Sequence, residues 1–160
     1  MKYLAISHNP NYMAWAYFDG RILYAADKIY FSDFQLHKQM FEFYKYIVEI
    51  VKRHEIGVLV VKKLNENGIK KIHLERYYNL RGVLKLIASQ EKMMYIEAKT
   101  DGWELYITKG KNTNKKKLDI VNKGYGLPFV NDKENFFTDD VEIANAIILG
   151  EAMSRKRLQV

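Results

Sequence analysis

Polar side chains that could take part in chemistry stand near both ends of the chain. Ser7 directly follows a short apolar run, which would place it at the carboxyl end of a strand, where α/β sheets carry functional groups. Glu142 and Asn145 are three residues apart, so they share one face of a predicted helix. Asp139 and Asp140 suit the first turn of that helix, where the helix dipole favours carboxylates. For each there is an alternative without chemistry: a strand end for Ser7, a buried amide for Asn145 and ordinary first-turn acids for the two aspartates.

A basic segment, residues 109–117, has the composition of a loop that contacts phosphates. Five lysines occur in its nine residues, with Gly and Asn between them that keep the backbone flexible. These are Lys109, Lys111, Lys115, Lys116 and Lys117. Such a segment suits phosphate contacts with little base readout, and the alternative is a solvated loop. The formal net charge of +7 favours a polyanionic partner but does not by itself identify one.

The composition rules out several kinds of site. The chain has no Cys, so it has no disulfide, thiolate metal site or cysteine nucleophile. The four His are scattered without ligand spacing, and we expect them on the surface or in loops. No apolar run approaches the roughly 18 residues that cross a bilayer, and neither terminus resembles a signal peptide. We therefore expect a cytoplasmic protein with no membrane contact, and 160 residues fit a single domain spanning residues 1–160.

Hydrophobic periodicity predicts a mixed α/β arrangement around these residues. The predicted strands are residues 3–6, 12–18, 21–30, 58–61 and 93–97, and the predicted helices are residues 36–53, 71–90, 115–123 and 140–155, with a short helical piece at 101–106. Asp19-Gly20 between two β-rich runs indicates a hairpin turn. Ser32-Asp33 offers a cap for the first helix, and Thr138 or Asp139 offers one for the last. A glycine inside the second helix, Gly82, indicates the close approach of another backbone.

Three strands, helix, strand, helix, strand and then helices is the element order of the ribonuclease H-like fold. The chain resembles the RuvC group of Holliday-junction endonucleases over nearly its whole length. Three stretches carry the resemblance: Ser7 with Trp15 eight residues later, the mid-helix residues 81–84, and residues 139–146. The basic segment falls where that family has a Lys/Gly/Asn segment before a small helix. The resemblance implies a mixed five-stranded sheet flanked by helices and DNA as a partner, and it leaves a homodimer open.

The resemblance also implies a catalytic pattern from which this chain departs. Members of the family cut DNA with two Mg²⁺ ions held by four carboxylates, because in-line attack on a phosphodiester needs both oxygens stabilised. The resemblance places the first-strand aspartate on Ser7, the central-strand glutamate on Lys62 or Lys63, and the two last-helix acids on Glu142 and Asn145. One carboxylate of four survives, and an ammonium group repels a metal ion. We therefore predict a degenerate site without metal or other cofactor, in which Lys62 or Lys63 pairs with Glu142.

Other functions remain open beside an inactive, DNA-binding relative of the resolvases. An active Mg²⁺-dependent endonuclease could draw on Asp139, Asp140 and Glu142, although three acids from one helix cannot surround two metal ions. A protein-interaction module could have kept the fold after losing DNA. A ribonuclease H-like regulator with another ligand is the last alternative.

Overall fold

A computed structural model of the protein describes residues 1–31, 35–99, 113–123 and 138–155. The strands are β1 (Lys2–His8), β2 (Tyr12–Asp19), β3 (Ile22–Tyr30), β4 (Val58–Lys62) and β5 (Met94–Ala98). The helices in the described ranges are α1 (Leu36–His54), α2 (Lys71–Gln90), α3 (Asn114–Lys123) and α4 (Val141–Ser154). The predicted Ser32-Asp33 cap and the predicted helical piece at 101–106 lie outside the described residues. Within those residues, no helix combines the length and the apolar character that a membrane span requires.

The strands form one mixed sheet in the order β3-β2-β1-β4-β5. β2 is antiparallel to both β1 and β3, whereas β4 is parallel to β1 and β5 is parallel to β4. This confirms the predicted fold class, an α/β ribonuclease H-like sheet of three antiparallel strands followed by parallel strands. Because β1 and β4 are parallel neighbours, their carboxyl ends meet at one edge of the sheet.

Each face of the sheet carries its own hydrophobic core. Side chains alternate between the faces along a strand, so Leu4 and Ile6 of β1 pack with α1 and α2. Tyr3 and Ala5 pack on the opposite face with α3 and α4. β4 is buried on both faces of the sheet, as its unbroken apolar run predicts.

The hairpin between β2 and β3 turns one residue later than the sequence suggests. Asp19 still pairs with Ile22 at the end of the ladder, so the loop consists of Gly20 and Arg21. Gly20 has a φ of 61°, a left-handed conformation that glycine adopts without the steric cost of a Cβ. The Asp-Gly signal therefore identified the hairpin but placed its loop one position early.

The last helix, α4, lies directly against the sheet. Every residue from 144 to 152 is buried, which is the pattern of a helix covered on all sides. A Cβ added to Gly150 would overlap the Phe18 ring, with Cδ2 at 2.7 Å, so the close approach predicted for Gly82 occurs at Gly150 instead. Gly82 has nothing within 4 Å of its Cβ position, so that prediction was wrong. The Tyr3 hydroxyl lies under the same helix, 2.9 Å from the Gly20 carbonyl and 3.0 Å from the Gly150 carbonyl, so its one proton is shared between these two acceptors.

Candidate functional site

A cleft of about 480 Å³ opens at the carboxyl ends of β1 and β4, beside the first turn of α4. Its lining includes the main predicted site positions. They are Ser7, Lys62, Lys63, Glu142 and Asn145. Three elements that are distant in sequence supply these side chains, and the parallel pairing of β1 with β4 brings two of them to the same edge. The fold thus gathers the positions that the resemblance assigned to one site.

The alternation of β4 decides which of its two terminal lysines faces α4. Val58 and Val60 pack in the core beneath α3 and α4, so Lys62 continues on that face. Ser7 lies on the same face, because it comes two residues after Ala5 of β1, which packs in that core. Lys62 is half-buried and Lys63 is exposed. Lys62 is therefore the lysine on the α4 side of the sheet, and both lysines line the cleft.

A hydrogen-bonded chain connects the polar side chains at the start of α4. Lys117 Nζ donates to Asn145 Oδ1 at 2.9 Å, and Asn145 Nδ2 donates to Glu142 Oε2 at 3.4 Å. Burial and the Glu142 carboxylate, to which the phenol is hydrogen-bonded, raise the pKa of Tyr12. Between described residues, the structure shows a hydrogen bond from Lys117 to Asn145 at this point and no ion pair of Glu142 with Lys62 or Lys63, although both of these lysines line the cleft.

Asp140 caps α4 and does not face the cleft as a free acid. Its Oδ1 accepts the backbone N–H groups two and three residues ahead, at 2.9 and 3.2 Å, so the cap is Asp140 rather than Thr138 or Asp139. Its Oδ2 accepts from Lys28 Nζ at 2.9 Å, and that ammonium lies 4.1 Å from the centre of the Tyr12 ring. Burial favours the neutral carboxyl, but the bonds from Lys28 and the backbone outweigh it and lower the pKa of Asp140. Asp139 is exposed.

A buried arginine supports the strand end that carries Lys62. Arg81 Nη2 donates to the Lys62 carbonyl at 3.1 Å, and the guanidinium forms an ion pair with Glu97 at the end of β5. It lies 4.7 Å from the centre of the Tyr77 ring. The Tyr77 hydroxyl also donates to the Lys62 carbonyl and accepts from the Leu64 amide, at 3.2 and 2.8 Å. The segment around Arg81, which the sequence marked only as a motif, thus fixes the ends of two strands.

His8 is a cleft residue that the sequence analysis missed. It belongs to β1, is only 5% exposed, and stacks on Tyr77 with the ring centres 4.5 Å apart. Burial and the nearby Arg81 charge lower the pKa of His8 to about 3, so the imidazole is neutral at physiological pH. Neither ring nitrogen has a hydrogen-bond partner in the described part of the chain. The expectation of a surface or loop histidine was wrong, and the signal was its place next to Ser7 at the end of an apolar strand.

The basic segment does not behave as a unit. Lys109 and Lys111 lie outside the described residues. Lys115 is exposed and Lys116 is half-buried on α3, whereas Lys117 is 7% exposed and donates to Asn145, a residue that lines the cleft. Lys115 therefore faces solvent and Lys117 does not, and phosphate contact by the segment stays a prediction.

The side chains of the cleft do not suit a pair of divalent ions. Mg²⁺ prefers several oxygen ligands, chiefly carboxylates. The cleft offers one carboxylate, Glu142, together with the Ser7 hydroxyl and the Asn145 amide oxygen, which already accepts from Lys117. Among the described residues there is no group of three His, Asp or Glu side chains that could hold a metal ion.

The mixed sheet, the helices on both faces and the cleft at the ends of β1 and β4 define the RuvC-like form of the ribonuclease H-like fold. T. thermophilus RuvC in complex with a Holliday junction substrate superimposes with a TM-score of 0.77 at 9% identity, over 99% of both chains. The yeast mitochondrial Holliday junction resolvase gives 0.70 at 10% identity, over 97% of this chain and 79% of that one. The fowlpox virus Holliday junction resolvase gives 0.64 at 15% identity, over 98% and 99%. No protein-family model and no curated protein sequence matches the chain.

Proposed function

We propose that this protein binds branched or duplex DNA through its RuvC-like fold and does not cut it. The observation that carries the proposal is the composition of the cleft. Ser7 and Lys62 end the two neighbouring strands, and Glu142 and Asn145 face them from α4. The fold matches solved Holliday junction resolvases, whereas the side chains differ from a two-metal set.

The loss of cutting follows from the charge of these groups. Two-metal phosphodiester cleavage stabilises the attacking and the leaving oxygen with cations held by carboxylates. Here the central-strand position carries the ammonium of Lys62, and the amide oxygen of Asn145 is occupied by Lys117. A site with one carboxylate and two nearby ammonium groups attracts anions rather than Mg²⁺.

The same charges support DNA binding. Lys62 and Lys63 line the cleft, and Lys115 is exposed on α3, two residues before Lys117. Together with the net charge of +7, they favour a polyanion such as the phosphate backbone, whose binding releases condensed counterions. A homodimer, which would present two such clefts, stays a prediction.

The function of an active Mg²⁺-dependent endonuclease has less support than that of a DNA-binding protein that does not cut. It requires Asp139 and Asp140 to join Glu142 as ligands. Asp140 is engaged with two backbone amides and with Lys28, and Asp139 is exposed. The described residues therefore leave Glu142 as the acid that faces the cleft.

A gel-shift experiment tests the proposal with a four-way junction, a linear duplex and a single strand across a salt series. We expect binding that does not require Mg²⁺ and whose affinity falls steeply with salt, and no cleavage in Mg²⁺ or Mn²⁺. Lys62→Ala/Lys63→Ala should weaken binding and reduce the salt slope by about 1 to 2. The matched control is Lys52→Ala/Arg53→Ala, which removes two exposed charges at the far end of α1 and should change neither.

Each other outcome selects an alternative. Cleavage that depends on added metal would refute the loss of activity and support the endonuclease. Absence of binding at low salt would refute DNA binding and support an interaction module or a regulator with another ligand. Equal weakening by both double variants would show that binding follows net charge and not the cleft.

A further inference from the structure

We propose that the Lys117 ammonium, which is bonded to Asn145 behind the wall of this cleft, takes the place of a divalent ion. The inference deepens the proposed function, on which it rests, because it says how the cleft keeps a compact, charge-balanced structure without metal. It also assigns Lys117 a role different from the surface phosphate contacts expected of the basic segment.

The burial of Lys117 is the first observation. Lysine is rarely buried unless its charge is compensated, yet Lys117 is 7% exposed. Ile120 and Val121, three and four residues later, are buried in the core beneath α4. All three therefore share the inner face of α3, and packing of the two apolar side chains turns the lysine toward α4.

The contact of Lys117 is the second observation. Its Nζ donates to Asn145 Oδ1 at 2.9 Å, and Asn145 is hydrogen-bonded in turn to Glu142. Asn145 and Glu142 are the two α4 positions that the resemblance assigns to metal-binding acids. An ammonium group thus engages the oxygen that a metal ion would need, and Asn145 connects it to the Glu142 carboxylate.

This arrangement has a functional consequence. A divalent ion dissociates when its concentration falls, whereas a covalently attached ammonium is always present. The connection between α3 and α4 therefore does not depend on Mg²⁺. It also follows that restored acids alone will not rebuild a metal site while Lys117 remains, because Asp at position 145 would pair with the ammonium.

The test restores the acids with and without the lysine. The three-acid variant Ser7→Asp/Lys62→Glu/Asn145→Asp is titrated with Mn²⁺ by calorimetry, and the titration is repeated after adding Lys117→Met. We expect Mn²⁺ affinity to rise by at least ~10-fold when Lys117 is replaced, because a neighbouring positive charge is removed. Adding Lys115→Met instead removes an exposed charge from the same helix and should change the affinity by less than ~2-fold. Equal affinities with Lys117 and with Met at that position would overturn the inference.

A second comparison covers the case in which the three-acid variant does not melt cooperatively. Lys62→Met/Asn145→Asp and Lys62→Met/Asn145→Asp/Lys117→Met each carry one new acid and lack the Lys62 charge, and their melting temperatures are compared with and without Mn²⁺. Stabilisation by Mn²⁺ in the variant with Lys117→Met alone supports the inference, whereas stabilisation of both or of neither refutes it. These results are independent of the gel shifts: failure of the wild-type protein to bind DNA would refute the proposed function and leave the metal comparison to be judged by itself.

Discussion

Two helical glycines in this protein should respond in opposite ways to the same substitution. Gly150 faces the sheet from α4, and an alanine Cβ there would lie 2.7 Å from Cδ2 and 2.8 Å from Cζ of Phe18. That ring is fully buried and stacks on Tyr3 with the ring centres 5.2 Å apart, so it has no room to move aside. Gly82 is exposed on α2 and has open space where its Cβ would be.

The expected magnitudes follow from these surroundings. Overpacking a buried site costs about 1–3 kcal/mol, and the immobile ring places Gly150→Ala at the upper end. Replacing a mid-helix glycine by alanine contributes about 1 kcal/mol in the favourable direction. At Gly150, an overpacking cost of about 3 kcal/mol is offset by about 1 kcal/mol of helix propensity, so we expect Gly150→Ala to lower the free energy of unfolding by about 2 kcal/mol. We expect Gly82→Ala to raise it by about 1 kcal/mol.

Urea denaturation followed by circular dichroism measures both changes on the same protein. Phe18→Leu should partly rescue Gly150→Ala, so that the double variant loses less stability than the sum of the two single variants. A Gly150→Ala protein as stable as the wild type would refute the close packing of α4 on β2. Since α4 carries Glu142 and Asn145, the same result would remove the basis for their position in the cleft.

Further predictions concern two ion pairs, Arg81 with Glu97 and Lys28 with Asp140. Arg81→Met should lower the free energy of unfolding, measured in urea, by about 2–4 kcal/mol, because it leaves Glu97 and the Lys62 carbonyl without their partner. The control is Lys85→Met on the exposed side of the same helix, which should change it by less than about 0.5 kcal/mol. Asp140→Asn keeps a capping side chain but removes the charge that pairs with Lys28, and it should cost about 1 kcal/mol at neutral pH. Because the pKa of Asp140 is lowered in the folded protein, its charge contributes stability above the unfolded pKa of roughly 4, and this is lost as pH falls through the folded pKa. Melting curves of the wild type and Asp140→Asn should therefore converge in acid, and persistence of the difference below both pKa values would contradict the ion pair.

The fold was predictable because its signals are local. The alternation and the unbroken apolar run at residues 58–61 identify strands, and spacings of three and four identify α1 and α2 close to their observed bounds. The errors occur where tertiary contacts decide between local options. Gly20 could occupy either position of the two-residue loop, and only the pairing of Asp19 with Ile22 selects the first. Gly82 and Gly150 are both helical glycines, and only the position of the sheet distinguishes them.

The cleft was harder to predict than the fold because its central contact joins residues from different elements. Lys117 belongs to a run of lysines, and its type does not show which member is buried. A signal did exist in its spacing of three and four from Ile120 and Val121, which places it on the apolar face of α3. Its partner Asn145 is buried, as the alternative of a buried amide predicts. What the sequence could not show is that these two inner faces meet.

The arrangement also explains how a fold can keep the geometry of a metal site after changing its charge. The positions of Ser7 and Lys62 are set by strand pairing and that of Asn145 by the packing of α4, and none of these depends on which side chains face the cleft. An ammonium about 4 Å from a divalent ion opposes its binding by about 8 kcal/mol at an effective dielectric constant of 20, twice the value for two single charges. A lysine at the end of β4 would therefore oppose a divalent ion strongly. Under the proposal made above, Lys117 would supply a positive charge beside Asn145 in place of that ion.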